Sequence, residues 1–465
     1  MNDFKFTPPI NKLTCKSADP LKLNLHQKFY QHKLGLLKNG TFQPCSASLT
    51  PWVLPHDTFK HAVNTARALS QLFFNVSQHH QFLENALADF KVPTSLLAQL
   101  AKTLERQPRA RALNLSRQDL LADKNGDWRL VESNSIAAGM GPFCESLNHL
   151  LDSDKLFAQK KWENTTGFID NPATQSLALT LFQNAQLIHG TGEPLIIFVV
   201  QADEDNIYDQ LKLSRALQHL GARVIRRTFA ELSGELKSFN NALIHPQLGR
   251  IDAIYLRTGY NLADYLDEQS AKRFLNFRHW LEQHDLLVAP SISHQLATSK
   301  WVQMKLSQLE PSTRAQLFKL STQQSHLVSD ALNVKYKLPQ HYNEAAFYLN
   351  SGQWILKSQN EGGGNVIDNP KHLTRDIQMD EYLLMERIDA AQRQTSTCVF
   401  QQGDIRCFTK VTSELGVFTL GDKHEYGGYL LRSKPAEQLE VGVHQAGGFL
   451  DTIRLAQSAS SFSTV

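Results

Sequence analysis

Apolar residues recur at helical spacing through TFKHAVNTARALSQLFFNV, residues 58 to 76, and again in VPTSLLAQLAKTLERQ, residues 92 to 107. The stretch from about 59 to 125 therefore reads as mostly helical. WRLVESNS (128–135) then reads as a short strand running into polar residues, and ATQSLALTLFQNAQLIHG (173–190) as a helix stopped by Gly190. At Pro194 the texture changes. PLIIFVVQ, ARVIRRTF, RIDAIYLRTGY and DLLVAPSI are strand candidates, and DQLKLSRALQHLG is a helix ending at Gly221. Strands alternating with helices predict a parallel α/β sheet over about 193–298. Helices return from Lys300 to about 335, followed by the strand candidates QWILKSQ, YLLMERI, TSTCVF and IRCFTKV, with QQGD as a hairpin turn between the last two. SASSFSTV at the end reads as a mobile tail.

The 465 residues are too many for one typical core. Composition is ordinary for a globular chain, with 42% hydrophobic and 20% charged residues. A formal net charge of +3, without a dense Lys/Arg stripe, argues against a nucleic-acid partner. The longest purely apolar run, Leu195 to Val200, is far short of a membrane span, and MNDFKFTPPINKL lacks a signal-peptide core. Five cysteines, Cys15, Cys45, Cys144, Cys398 and Cys407, include no CxxC pair, which fits a reducing cytoplasm better than a disulfide scaffold. His79 and His80 are adjacent in SQHHQF and read as a solvated helix end rather than a metal site.

Three segments could carry chemistry. In KSQNEGGGNVI (357–367) a lysine at a strand's end, a carboxylate and three glycines fall together. Glycines let several backbone N–H groups converge on an anion, Lys357 supplies a charge for phosphate, and Glu361 is the hard oxygen donor that Mg²⁺ takes. A flexible turn between strands is the alternative. In LVESNSIAAGMGP (130–142) Glu132 and Asn134 are two apart and share a strand face, either as a partial Mg²⁺ site or as a strand edge facing water. Upstream, Arg117 in LNLSRQDLL could grip a carboxylate bidentately or be an ordinary helix-surface arginine. In HEYGGYLLRSKP (424–435) Arg432 and Lys434 share a face that suits a phosphate or developing oxyanion, and a solvated strand edge explains it equally well.

Taken together, RQDL, VESNSIAAG, VVQADEDNIYDQ, YLRTGY, APSISHQLATSKWVQ, ILKSQNEGGGN, YLLMERI, TSELGVF and GGYLLRSK resemble eukaryotic-type glutathione synthetases of the ATP-grasp ligase family. The match runs in family order from about Arg117 to Asp451, and the first hundred residues carry little of it. The resemblance implies an α/β ATP-grasp fold with an inserted parallel α/β substrate-binding domain. The corresponding domains are 1–192 (helical, with the N-terminal part of the grasp body), 193–298 (the insert) and 299–465 (the nucleotide-binding part with a glycine-rich lid). It implies a homodimer, ATP as co-substrate, a pair of magnesium ions per site, and γ-glutamylcysteine and glycine as substrates.

Residue by residue, Glu132, Asn134 and Glu361 match the family's magnesium ligands. Lys300 and Lys357 match lysines that hold the ATP phosphates, with Gly362, Gly363, Gly364 and Asn365 closing over them. Met385, Glu386, Arg387 and Ile388 match the adenine-side strand, and Glu414 and Lys434 further nucleotide contacts. Arg117, Glu204, Asn206, Gln210, Arg257 and Tyr260 match positions that hold the γ-glutamyl dipeptide, and Arg432 an arginine beside the reacting carboxylate. Arg117 and Arg432 are the expected catalytic pair.

The chain departs from the family in two contact loops. Ala137, Ala138, Gly139 and Met140 stand where the family often has Ser-Ala-Ser-Phe, which removes hydroxyls beside the cysteinyl group. EVGVHQAGG (440–448) replaces a glycine- and alanine-rich loop, with Val443 and His444 at its amino-acid-contacting positions and Gln445 next to them. His444 and Gln445 are bulkier than alanine, so the acceptor is either glycine or a different amine. A nucleotide sensor without catalysis is a further reading, opposed by the full set of charged residues. A Rossmann oxidoreductase is excluded because no GxGxxG follows PLIIFVVQ.

Overall fold

A computed structural model of the chain describes residues 19–93, 95–104, 108–153, 165–190, 192–265, 273–360, 366–375, 377–393, 396–438, 442–443 and 447–457. The tail SASSFSTV and the loop 361–365 lie outside these residues.

Val411–Leu420, buried along its whole length, runs near the middle of a nine-stranded sheet. It pairs antiparallel with Leu115–Ala122 on one side and Glu425–Pro435 on the other. Beyond Leu115–Ala122 lies Trp128–Asn134, also antiparallel. The register sets Arg117 opposite Asn134 and Asp119 opposite Glu132. Across the other pairings, Asp119 faces Gly416 and Glu414 faces Arg432. Side chains alternate along a strand, so these charged residues emerge on one face. Ser116, one residue out of step, points the other way, its Oγ 3.3 Å from Ser70 Oγ on the helix His56–Gln78. That long helix covers the far face, while Gly141–Ser153 and Ala173–His189 pack against Glu425–Pro435.

A bulge interrupts the pairing between Asp119 and Leu120, placing Val131 out of register. Bulges re-aim side chains beside functional sites. Here it directs Glu132 toward Asp119 and leaves the Val131 carbonyl to accept from Lys357 Nζ at 3.2 Å.

The predicted parallel sheet is present. Its order is Arg223–Arg227, Leu195–Val199, Ala253–Leu256, Leu287–Ala289 and Arg111–Ala112, with every pairing parallel. All of Leu195–Val199 is buried, as a strand covered on both faces requires. The helix Ile207–His219 makes the crossover, and Gly221 takes the left-handed conformation, φ +99°, just beyond it. The fifth strand comes from outside 193–298, so this sheet draws on an earlier segment of the chain.

The third unit is a four-stranded sheet ordered Tyr336–Lys337, Tyr382–Glu386, Trp354–Ser358 and Val366–Ile367. Helix Tyr342–Asn350 packs on it. Its core is small: Ala345, Leu349, Trp354, Leu356, Leu373 and Leu384 form one cluster separate from the main core, and Val334, Leu383 and Met385 form another.

Two expectations need correction. The segment 59–125 is not helical throughout: helices end at Ala101, and Arg111–Ala112 and Leu115–Ala122 are strands. LNLSRQDLLA alternates with period two on its charged face, and partnership in the sheet prevails over local helix propensity. Arg117 is accordingly a strand residue, not one on a helix surface. Second, Cys398 and Cys407 are joined as a disulfide. They sit directly opposite in the antiparallel hairpin Thr397–Gln401 and Asp404–Phe408, whose turn Gln402-Gly403 has φ +53° and +79°. The absence of a CxxC motif did not expose this cross-strand pair. Cys45 and Cys144 are buried thiols. His79 caps a helix start, its Nδ1 accepting from Phe82 N at 3.2 Å. Among the described residues no helix is long and apolar enough to cross a membrane.

Candidate active site

A cavity of about 1050 Å³ lies where the three units meet. From the nine-stranded sheet come Arg117, Glu132, Asn134, Glu414, Arg432 and Lys434. The loop after Asn134 adds Ala137, Gly139 and Met140, and the parallel sheet adds Glu204, Asn206, Arg257 and Tyr260. Lys300 enters from a helix N-terminus, and Lys357, Met385, Glu386, Arg387 and Ile388 come from the four-stranded unit or its edge. Val443 closes one side.

Two expected contacts sit behind this wall. The Gln210 amide donates to Glu204 Oε2 at 2.6 Å, and its carbonyl accepts from Arg226 Nη2 at 2.8 Å, so it braces Glu204. Ala138 offers its carbonyl to Arg257 Nη1 at 3.2 Å rather than its side chain to the cavity. Glu361, Gly362, Gly363, Gly364, Asn365 and His444 lie outside the described residues.

The charged groups are arranged by sign. Glu132 has Lys300 Nζ 3.9 Å from its carboxylate. Burial opposes ionisation of Glu132, but Lys300, Lys357, Arg432 and Arg117 outweigh it and hold the pKa at about 2. Lys300 also donates to Asn360 O at 3.1 Å. The Asn134 amide nitrogen is anchored on Asp119 Oδ2 at 3.0 Å, which turns its oxygen to the other side. Burial works against the charge of Arg432, yet Glu414, Asp119 and Glu132 more than compensate and raise its pKa. Its Nη2 donates to Asp119 Oδ2 at 2.9 Å and to Glu414.

Glu132 and Asn134 present a carboxylate and an amide oxygen on one face, hard donors of the kind Mg²⁺ takes. The donor set fits the ion, with Glu361 as the third expected ligand. Among the described residues no three His, Cys, Asp or Glu side chains cluster as a metal site.

Four residues that matter here were not singled out from the sequence. Asp119 pairs with Arg117 through Nε–Oδ1 at 2.5 Å and Nη2–Oδ2 at 2.7 Å. Asp209 accepts from Arg257 Nη2 at 3.2 Å and from Met140 N at 3.1 Å. Asp264 Oδ2 accepts the three consecutive N–H groups of Gly259, Tyr260 and Asn261 at 2.9–3.1 Å, fixing the loop that carries Tyr260. Gly416 makes room: a Cβ there would lie 2.6 Å from Asp119 Oδ1 and 2.9 Å from Arg117 Nε. The signals were present, since Asp119 shares a strand face with Arg117 in RQDL and Asp209 precedes Gln210.

The two arginines also clamp the loop after Asn134. Arg117 Nη1 donates to Gly139 O at 3.1 Å, while Arg257 holds Ala138 O. A Cβ on Gly139 would come within 2.6 Å of Arg257 Nη2. Ala137 and Met140 take positive φ, 50° and 67°, in this loop.

Residues 24–455 match the family profile described as eukaryotic glutathione synthase, ATP binding domain. The chain is 27% identical over 437 residues to glutathione synthetase of Homo sapiens, covering 87% of this chain and 88% of that one. It is 29% identical over 447 residues to the chloroplastic glutathione synthetase of Solanum lycopersicum, covering 88% and 77%. Its fold is similar to that of a glutathione synthetase-like effector from Globodera pallida, solved in apo form. That likeness has a TM-score of 0.67 at 18% identity, over 94% of this chain and 98% of the other.

Proposed function

The chain belongs to the eukaryotic glutathione synthase family, an ATP-dependent ligase by that membership, and we propose that it joins γ-glutamylcysteine to glycine with cleavage of ATP to ADP and phosphate. The observation that carries this reading is the single cavity into which six distant segments send phosphate-suited lysines, a carboxylate held ionised, and arginines suited to carboxylates.

In the proposed reaction the dipeptide's terminal carboxylate attacks the γ-phosphorus of ATP and ADP leaves. The amine then attacks the acyl-phosphate carbonyl, phosphate departs, and the amine's proton is lost. Neither step needs a protein nucleophile, in keeping with a cavity built from charges. Lys300 and Lys357 would hold the phosphates, and Glu132, Asn134 and Glu361 the magnesium. Magnesium, when bound, would neutralise charge on the transferring phosphoryl group. Arg117 and Arg257, with Tyr260, would hold the dipeptide, and Arg432 would stabilise charge on the phosphorylated carboxylate. The glycines 362–364 would bring backbone donors over the phosphates and exclude water from an intermediate that hydrolyses.

ADP release by the purified protein with ATP, Mg²⁺ and γ-glutamylcysteine, across a panel of amino acids, tests the reading. Turnover that depends on the acceptor and is fastest with glycine is expected. A larger amine as best acceptor, which the bulk of His444 and Gln445 favours, would keep the chemistry and change the product. ATP binding without acceptor-dependent ADP release would leave only a nucleotide sensor.

A further inference from the structure

Asp119 is fully buried and does not line the cavity, yet three groups that do line it converge on its carboxylate. Arg117 binds it through two nitrogens at 2.5 and 2.7 Å, Arg432 at 2.9 Å and Asn134 at 3.0 Å. Three of these four bonds end on the same oxygen, Oδ2. Those groups come from three different strands, and one carboxylate sets their spacing. A buried carboxylate among two guanidinium groups also offsets charge that would otherwise oppose packing them side by side. The space it occupies exists only because residue 416 lacks a Cβ.

Resting on the ligase reading above, we propose that Asp119 is a positioning residue that holds the dipeptide-binding arginine, the oxyanion-stabilising arginine and the metal-side amide in one rigid constellation. It touches no reactant. It acts by keeping Arg432 aimed at the reacting carboxylate while Arg117 keeps the dipeptide in reach. Displacement of a reacting centre by about 1 Å costs on the order of 100-fold in rate.

Asp119→Asn keeps the volume but replaces an acceptor by an N–H₂ that meets the N–H donors, and it removes the charge. The test measures kcat, the KM for ATP and the dipeptide, and thermal melting for wild type, Asp119→Asn and Gly416→Ala. Gly416→Ala displaces the pair without changing charge. The expected result is a kcat lower by about 100-fold in Asp119→Asn and about tenfold in Gly416→Ala, with the KM for ATP within about threefold of wild type. The KM for the dipeptide should rise, since Arg117 shifts with its partner. Folded variants of both kinds with wild-type kcat would overturn the proposal. An unfolded Asp119→Asn beside a fully active Gly416→Ala would also overturn it, since Asp119 would then serve folding alone. An unfolded Asp119→Asn with a slow Gly416→Ala of unchanged melting supports it. A wild type without acceptor-dependent turnover would sink the ligase reading, and this inference with it. Normal variants beside an active wild type would sink the inference alone.

Discussion

The nine-stranded sheet and the four-stranded unit line the same cavity with different kinds of support. On the sheet, charged side chains are held by buried charged partners: Arg117 and Arg432 by Asp119, and Arg257 by Asp209 at the neighbouring parallel sheet. Removing one partner of such a pair costs about 3–5 kcal/mol. On the four-stranded unit the ion pairs among the described residues are partly to largely exposed. Lys335 reaches Glu386 at 3.3 Å with side-chain exposures of 75% and 37%, and pairs so exposed contribute at most about 1 kcal/mol. Its core is two small clusters, one around Leu356 and Leu384 and one of Val334, Leu383 and Met385, both separate from the main one. One wall is therefore preorganised and costly to deform, while the other is lightly backed. This suits a site in which the sheet holds a substrate carboxylate and the four-stranded unit settles on a nucleotide.

The largest effect on turnover is expected on the sheet side. Glu132→Gln removes the ionised carboxylate that faces Lys300 and should lower kcat by about 10²–10³-fold, together with a lower melting temperature because buried cations lose their partner. A loss below about tenfold, read by ADP release, would separate Glu132 from the chemistry. Next, Gly139→Ala puts a Cβ 2.6 Å from Arg257 Nη2. Overpacking of this kind costs about 1–3 kcal/mol, so the KM for the dipeptide should rise by about 5- to 100-fold while that for ATP stays put. A parallel rise in both would mean that the two walls are not distinct.

Leu384→Ala strikes the other wall. It should cost about 2–5 kcal/mol of local stability, seen as faster amide exchange over Trp354–Ser358 and a several-fold higher KM for ATP. The dipeptide KM should hold. If the main melting transition falls by as much as the local one, the small core is not an independent unit.

The gentlest probe is acid. Burial and the neighbouring His424 push the pKa of His294 down to about 3, and burial pushes that of His424 down to about 4. Phe74 lies against both rings, at 5.2 and 5.9 Å, beneath the sheet. An unfolded chain takes up protons on both histidines as pH falls through about 6.5, whereas the native chain takes them up only near 4 and 3. The unfolded state thus binds more protons between those limits, and stability drops as pH is lowered across them. Melting should occur at a lower temperature at pH 5 than at pH 7, and flattening of that slope in His294→Gln would locate its source. A melting temperature independent of pH over that range would contradict it.

Much of this arrangement was legible in the letters. The parallel strands announced themselves as continuous apolar runs bounded by helices, and Gly190 and Gly221 marked helix ends. Glu132, Asn134, Arg432 and Lys434 were readable because same-face spacing on a strand needs only a period of two. The strand character of 111–122 was not, because LNLSRQDLLA holds its place through neighbours almost three hundred residues away. Asp119 and Asp209 were obscured for a related reason. Each lies next to or two residues from a residue already credited with a role, and its purpose appears only when the fold brings a distant arginine to it: Arg432 from another strand to Asp119, and Arg257 from the end of a strand to the helix that carries Asp209. The cross-strand cysteines likewise depend on register, which a search for CxxC does not consult.

The central claim is that the sheet and the four-stranded unit grip one nucleotide between them. A crystal structure with ADP, Mg²⁺ and the dipeptide tests it most directly. The account predicts that Glu132 and Glu361 meet at the same magnesium-bound phosphate, with Lys300 and Lys357 on its oxygens. Glu132 and Glu361 directed into separate cavities, or a nucleotide bound away from Glu132, would contradict it.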